Sequence, residues 1–168
     1  DITFGCAPLT VNFEATSSEN STITWNFGDN QISNNSNEEH TYINEYIDSD
    51  VTTFLVSAEA TSAIGCVALD TLEISAYKSA VASVVSSGNG CAPLNTTFEN
   101  NSENATEYSW NFSDGDVSSS FEPVHTFENT SDSLATILVD FIAIAENGCH
   151  DSMTVVMNVF PEFIFDLY

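Results

Sequence analysis

The 168-residue chain carries 25 acidic residues against a single basic one, Lys78, for a formal net charge of -24. A surface this acidic excludes nucleic acid and anionic membrane surfaces as partners, because phosphate recognition needs clustered Lys and Arg. With 42% hydrophobic and 11% aromatic residues arranged in alternating runs, the chain is folded rather than disordered.

Taken in chain order, the predicted elements are short strands. "LTVNFEA" (Leu9 to Ala15), "STITWNF" (Ser21 to Phe27), "VTTFLVSAEA" (Val51 to Ala60) and "DTLEISAY" (Asp70 to Tyr77) alternate apolar with polar residues, and stretches rich in Asn, Ser, Gly and Asp separate them. After "YKSAV" the pattern restarts: "AVASVV" (Ala80 to Val85) reads as an opening strand, and "LATILVDFIAIA" (Leu134 to Ala145) as a long alternating one. No run reaches the roughly 18 apolar residues of a membrane span, so no direct membrane insertion is expected. Asp1 starts inside the pattern, so the chain reads as a mature fragment or an excised piece.

The restart is a repeat. A shift of 85 positions lays "GCAPLTVNFE" (Gly5 to Glu14) on "GCAPLNTTFE" (Gly90 to Glu99), Trp25 on Trp110, Phe27 on Phe112, Asp29 on Asp114, His40 on His125, and Tyr42 on Phe127. Gly65-Cys66 matches Gly148-Cys149 at a shift of 83. Two copies of one module follow, at residues 1–78 and 79–162. The last residues, 163–168 ("FIFDLY"), align with "AVASVV" and read as the first strand of a following copy, while the first copy lacks its opening strand. Short strands, a buried Trp and a pair of cysteines per copy argue for an all-β chain of two Ig-like antiparallel sandwiches. The few Gly and Pro around Tyr77 to Ala80 predict limited bending between them.

Each copy holds two cysteines, and pairing inside each repeat, Cys6–Cys66 and Cys91–Cys149, is the arrangement expected of two similar, independent modules. Closing such loops stabilises a module by about 4 kcal/mol in the chain-entropy model, and points to an oxidising, extracytoplasmic location. Zinc is the rival, against which stand the lack of a Cys-x-x-Cys spacing and the scarcity of His.

Trp25 and Trp110 read as core pins. Asn26 and Asn111 face away from that core, and His40 and His125 fix loops. His150 beside Asp151 suggests a dyad, but no nucleophile motif accompanies it, so no enzymatic activity is expected.

Trp25-Asn26-Phe27-Gly28-Asp29 with His40-Thr41-Tyr42, and Trp110-Asn111-Phe112-Ser113-Asp114 with His125-Thr126-Phe127, resemble the signature of PKD (polycystic kidney disease) domains, which are Ig-like β-sandwiches. The Gly-Cys-Ala-Pro opening and later Gly-Cys are similar to a disulfide-bonded variant found in tandem in large surface proteins of gliding bacteria, many exported by type IX secretion. Ser113 departs from the usual Gly, and "SSEN" and "NSEN" replace the Asp-rich turn before the Trp strand. The resemblance implies calcium as a candidate cofactor, with Glu19, Asn20 and Asp29, or Glu103, Asn104, Asp114 and Asp116, as the oxygen donors; a plain solvated turn is the alternative at each. It also implies O-glycan acceptors at Thr71, Ser133 and Ser152, each after an Asp. The expected function is a non-catalytic spacer of a secreted or cell-surface adhesin, with neighbouring domains of the same chain as partners. The alternative is an accessory module of a secreted hydrolase that binds polysaccharide or a surface protein, through an aromatic row drawn from Tyr42, Tyr46, Tyr77 and Tyr108.

Overall fold

The computed structural model describes residues 2–17, 20–44 and 49–163. The chain divides into two units, Asp1–Lys78 and Ser79–Tyr168, and no described residue is helical. Each unit is a β-sandwich of Ig-like kind.

The first unit contains β1 (Phe4–Cys6), β2 (Leu9–Glu14), β3 (Ser21–Asn26), β4 (Ile32–Ser33), β5 (Asn37–Tyr42), β6 (Val51–Ser62) and β7 (Val67–Tyr77). One sheet runs β1-β7-β6-β3-β4, with β1 parallel to β7 and the rest antiparallel; the other pairs β2 with β5. Strand alternation builds the core directly: Leu9, Val11 and Phe13 of β2 point inward while Thr10, Asn12 and Glu14 face solvent. They meet Trp25, Phe54, Val56, Ile74 and Ala76 from the opposite sheet, with the Phe13 ring 5.4 Å from Trp25. A residue such as Phe13 or Trp25 removes far more apolar surface from water than any exposed ion pair could offset, which is how a chain with one basic residue holds together.

The second unit repeats the plan. It contains β8 (Val84–Ser86), β9 (Gly90–Cys91), β10 (Leu94–Asn100), β11 (Glu107–Asn111), β12 (Val117–Ser118), β13 (Val124–Phe127), β14 (Ala135–Ile144) and β15 (His150–Phe160). Its sheets run β12-β11-β14-β15-β9 and β13-β10-β8. Phe98, Trp110, Phe127, Phe141 and Met157 fill the core, with Phe98 and Trp110 5.2 Å apart.

The opening strand of this unit is β8, somewhat later than the expected Ala80 to Val85; Val81 contributes only an isolated bridge to Glu103. Among the described residues the first unit has no counterpart of β8, so β2 is flanked by β5 alone where β10 is flanked by both β13 and β8. The strand expected at residues 163–168 lies outside the described residues, apart from Phe163, which is exposed.

Candidate functional site: aspartate–histidine turns and polar cysteines

In both units the signature residues converge on one turn. Trp25, next to the last residue of β3, lies in the core and donates its indole N–H to Asn35 O at 2.9 Å; Trp110, next to the last of β11, does the same to Ser120 O at 2.9 Å. Asn26 and Asn111, pointing outward, accept the backbone N–H of Gly28 and Ser113, each at 2.9 Å. These bonds close the turn that carries Asp29 and Asp114. The Asp29 carboxylate accepts the Gln31 N–H at 3.0 Å and the His40 ring at 2.8 Å; Asp114 accepts the Asp116 N–H at 3.1 Å and His125 at 2.6 Å.

The histidine rings are held on their other sides by aromatic residues. His40 stacks on Phe27 with centroids 4.1 Å apart and meets Tyr42 edge-on at 4.7 Å; His125 stacks on Phe112 at 4.1 Å and meets Phe127 at 4.7 Å. Partial burial works to raise the Asp29 and Asp114 pKa values, but the histidine bond and the turn N–H outweigh it, and both carboxyls rest below the ordinary aspartate range.

The position of Gly28 has a φ of 81°, and a Cβ there would lie 2.7 Å from Leu55 O. Ser113 occupies the same place with a φ of 63° and donates its hydroxyl to Leu138 O. The departure from Gly is thus accommodated by a hydrogen bond to the neighbouring strand.

The donors expected to share calcium are not brought together. Asn20 precedes β3 and Asp29 follows it, so the six residues of that strand, spanning roughly 17 Å, lie between them. Glu103 and Asn104 likewise precede β11, while Asp114 and Asp116 follow it, at least about 13 Å away. Asn104 instead donates its side-chain amide to Ser79 O at 3.0 Å. Glu19 lies outside the described residues. One cation bound by six to eight oxygens cannot draw on both ends of a strand. Asp114, Asp116 and His125 do place one ligand atom each within 4.8 Å of one another, but Asp114 is already engaged by His125 and its own turn.

The cysteines require a second correction. Cys6 and Cys149 are disulfide-bonded, whereas Cys66 and Cys91 are free and exposed, so neither expected pair, Cys6–Cys66 nor Cys91–Cys149, is formed. Register gives the reason. Cys6 lies opposite Tyr77, the last residue of β7, whereas Cys66 immediately precedes Val67, the first; the length of β7 between them is roughly 33 Å. Cys91 lies opposite Phe160 and Cys149 just before His150, with all of β15 between. A disulfide needs Cα atoms within about 7 Å.

Of the remaining candidates, His150 is exposed at the start of β15, where its side chain and that of Asp151 point to opposite faces. Thr71 and Ser152 are exposed on β7 and β15, and Ser133 is exposed before β14. Tyr42 is fully buried and leaves the proposed aromatic row; Tyr77 and Tyr108 are half-buried, and Tyr46 lies outside the described residues.

Sequence reasoning missed Asn44 and Asn129. Asn129 donates to Ser133 O and Val159 O, both at 2.8 Å, and Asn44 donates to Ser49 O at 3.2 Å and Ala76 O at 3.1 Å, tying the loop after β13 or β5 to the last strand of its unit. Their separation of 85 residues is the signal that could have found them.

No family model matches the chain, and no curated protein does. Among solved structures it is similar to the PKD1 domain of Epp from Vibrio anguillarum, with 21% identity across 49% of this chain and 95% of that one, at a TM-score of 0.41. It is also similar to fibronectin(III)-like modules of CbhA from Clostridium thermocellum, with 13% identity across 96% of this chain and 90% of that one (TM-score 0.39). The amphioxus IgVJ-C2 molecule matches at 13% identity across 91% of this chain and 98% of that one (TM-score 0.33).

Proposed function

We propose that this chain is a non-catalytic pair of PKD-type modules, a stretch of spacer in a larger secreted or cell-surface adhesion protein. The observation that carries the reading is the way both units spend their signature side chains. Trp, Asn, Asp and His are used in matched hydrogen bonds and ring contacts that fix one turn, identically in each copy. Residues committed in this way serve shape rather than turnover, and repetition of a shape is what a spacer needs. The disulfide supports an oxidising location outside the cell. The acidic surface supports a stalk whose modules repel non-specific association. The parent protein in this reading is a surface adhesin of the kind gliding bacteria export by type IX secretion.

The test is retention of the purified chain on insoluble polysaccharides such as cellulose, chitin and xylan. A spacer is retained no more than an unrelated protein of equal negative charge. Saturable retention on one of them would replace this reading with that of a carbohydrate-binding module.

A further inference from the structure

The two copies of the signature turn differ at one polar position two residues after the aspartate. In the first unit Gln31 stands there and donates its side-chain amide to Asp29 Oδ2 at 3.3 Å, alongside the His40 ring at 2.8 Å. In the second unit the equivalent residue is Asp116, an acid where the first has an amide.

The exchange changes the electrostatics of the turn. Asp114 loses a donor and gains a second carboxylate, and one ligand atom each of Asp114, Asp116 and His125 lie within 4.8 Å of one another. The Asp116 carboxylate accepts no hydrogen bond from a described residue. The single basic residue of the chain, Lys78, belongs to the first unit, so no Lys or Arg of the second balances the pair of charges. What this turn lacks is a cation, and the donor set says which kind. One imidazole nitrogen and two carboxylate oxygens fall short of the six to eight oxygens that calcium takes, but they match the three protein ligands that a divalent transition ion such as zinc accepts beside water.

We propose that the second unit binds one divalent transition-metal ion through Asp114, Asp116 and His125 Nε2, with water completing the coordination, and that Gln31 withholds the third ligand from the first unit. The turn needs little change to do so. Asp114 Oδ1 keeps the Asp116 N–H, while Oδ2 exchanges the proton held by His125 Nε2 for the ion, leaving the bound imidazole protonated at Nδ1. Two zinc ligands sit roughly 3.3 Å apart at ordinary metal–ligand lengths, so Nε2 and Oδ2 open from 2.6 Å by roughly 0.7 Å. The Asp114 side chain is 39% exposed, against 18% for Asp29, which leaves room for that movement. Asp114 and Asp116 lie between β11 and β12 of one sheet and His125 on β13 of the other, so the ion ties together the two sheets of this sandwich.

The test is calorimetric titration of the chelator-stripped chain with zinc, in excess magnesium to occupy the acidic surface. One saturable site per chain is expected, and among the three histidines zinc should shift only the His125 ring resonances in NMR spectra. Asp116→Gln gives the second unit the residue of the first and should abolish the site; since the Asp116 side chain bonds to no described residue, the urea midpoint of this variant in chelator should match that of the native chain. Gln31→Asp should create a second site, giving two zinc ions per chain. Absence of saturable binding, a site that survives Asp116→Gln, or a Gln31→Asp chain that still binds one ion would each overturn the proposal. The spacer reading stands or falls separately, on polysaccharide retention.

Discussion

The hydroxyl of Tyr42 is sealed from solvent without a hydrogen-bond partner among the described residues, and at the equivalent place in the second module Phe127 fills the same position with no hydroxyl at all. Burial also drives the Tyr42 pKa upward, with the nearby Asp29 charge adding to it, so the phenol stays neutral. An orphaned buried hydroxyl costs about 1–3 kcal/mol. Tyr42→Phe is therefore expected to raise the stability of the first module by about 1–2 kcal/mol, read as an increased urea midpoint at unchanged slope.

Thr96 is the mirror case. Its Oγ1 is buried and unpaired among the described residues, and the matching residue of the first module is the buried Val11. Thr96→Val keeps the shape and removes the orphan, so it should stabilise the second module by about 1 kcal/mol in the same denaturation measurement. Val11→Thr should destabilise the first by a similar amount.

Acid should loosen both signature turns. Asp29 and Asp114 lie below 3.8 when folded and return toward 3.8 when unfolded. A lowered folded pKa gives stability that is fully present above the unfolded value and lost as pH falls through the folded one. The difference in urea midpoint between the native chain and the Asp29→Asn, Asp114→Asn double variant should be constant near neutrality and shrink below pH 3.8. A difference that does not change with pH would mean that the charge of these carboxylates contributes nothing.

Gly28 cannot follow the example of Ser113. Its added Cβ would meet Leu55 O at 2.7 Å and Leu55 N at 2.9 Å, both backbone atoms that a strand interior cannot displace cheaply. Gly28→Ala should cost about 2 kcal/mol or more from left-handed strain and this close approach. Ser113→Gly should cost less, because the lost hydroxyl bond to Leu138 is set against relief of the left-handed strain at its φ of 63°. Thermal midpoints of the two variants give the comparison.

Calcium should not stabilise the chain. The described candidate donors, Asn20 and Asp29 or Glu103, Asn104, Asp114 and Asp116, stand at opposite ends of β3 or β11, so thermal unfolding in millimolar calcium and in chelator should give the same midpoint. A midpoint that rises with calcium would show that a smaller set of ligands suffices.

Much of this architecture was legible from residue order. Alternation in "LTVNFE" and "STITWN" decides which side chains face inward, because strand periodicity is a local property of the backbone. The 85-residue shift exposed the duplication, the Trp pins and the equivalence of Asp29 with Asp114 and of His40 with His125, since a repeated core demands repeated residues, while the bond from each His to its Asp came from the structure.

Pairing across distance was not legible. Cysteines spaced 60 and 58 residues apart looked like partners within each copy. Only the register of β1 on β7 and of β9 on β15 puts them at opposite poles, a full strand length apart. The same blindness grouped Asn20 with Asp29 and Glu103 with Asp114. Separation along a chain says nothing of separation in space once an extended strand, at about 3.3 Å per residue, carries two neighbours in sequence to opposite ends of a sandwich.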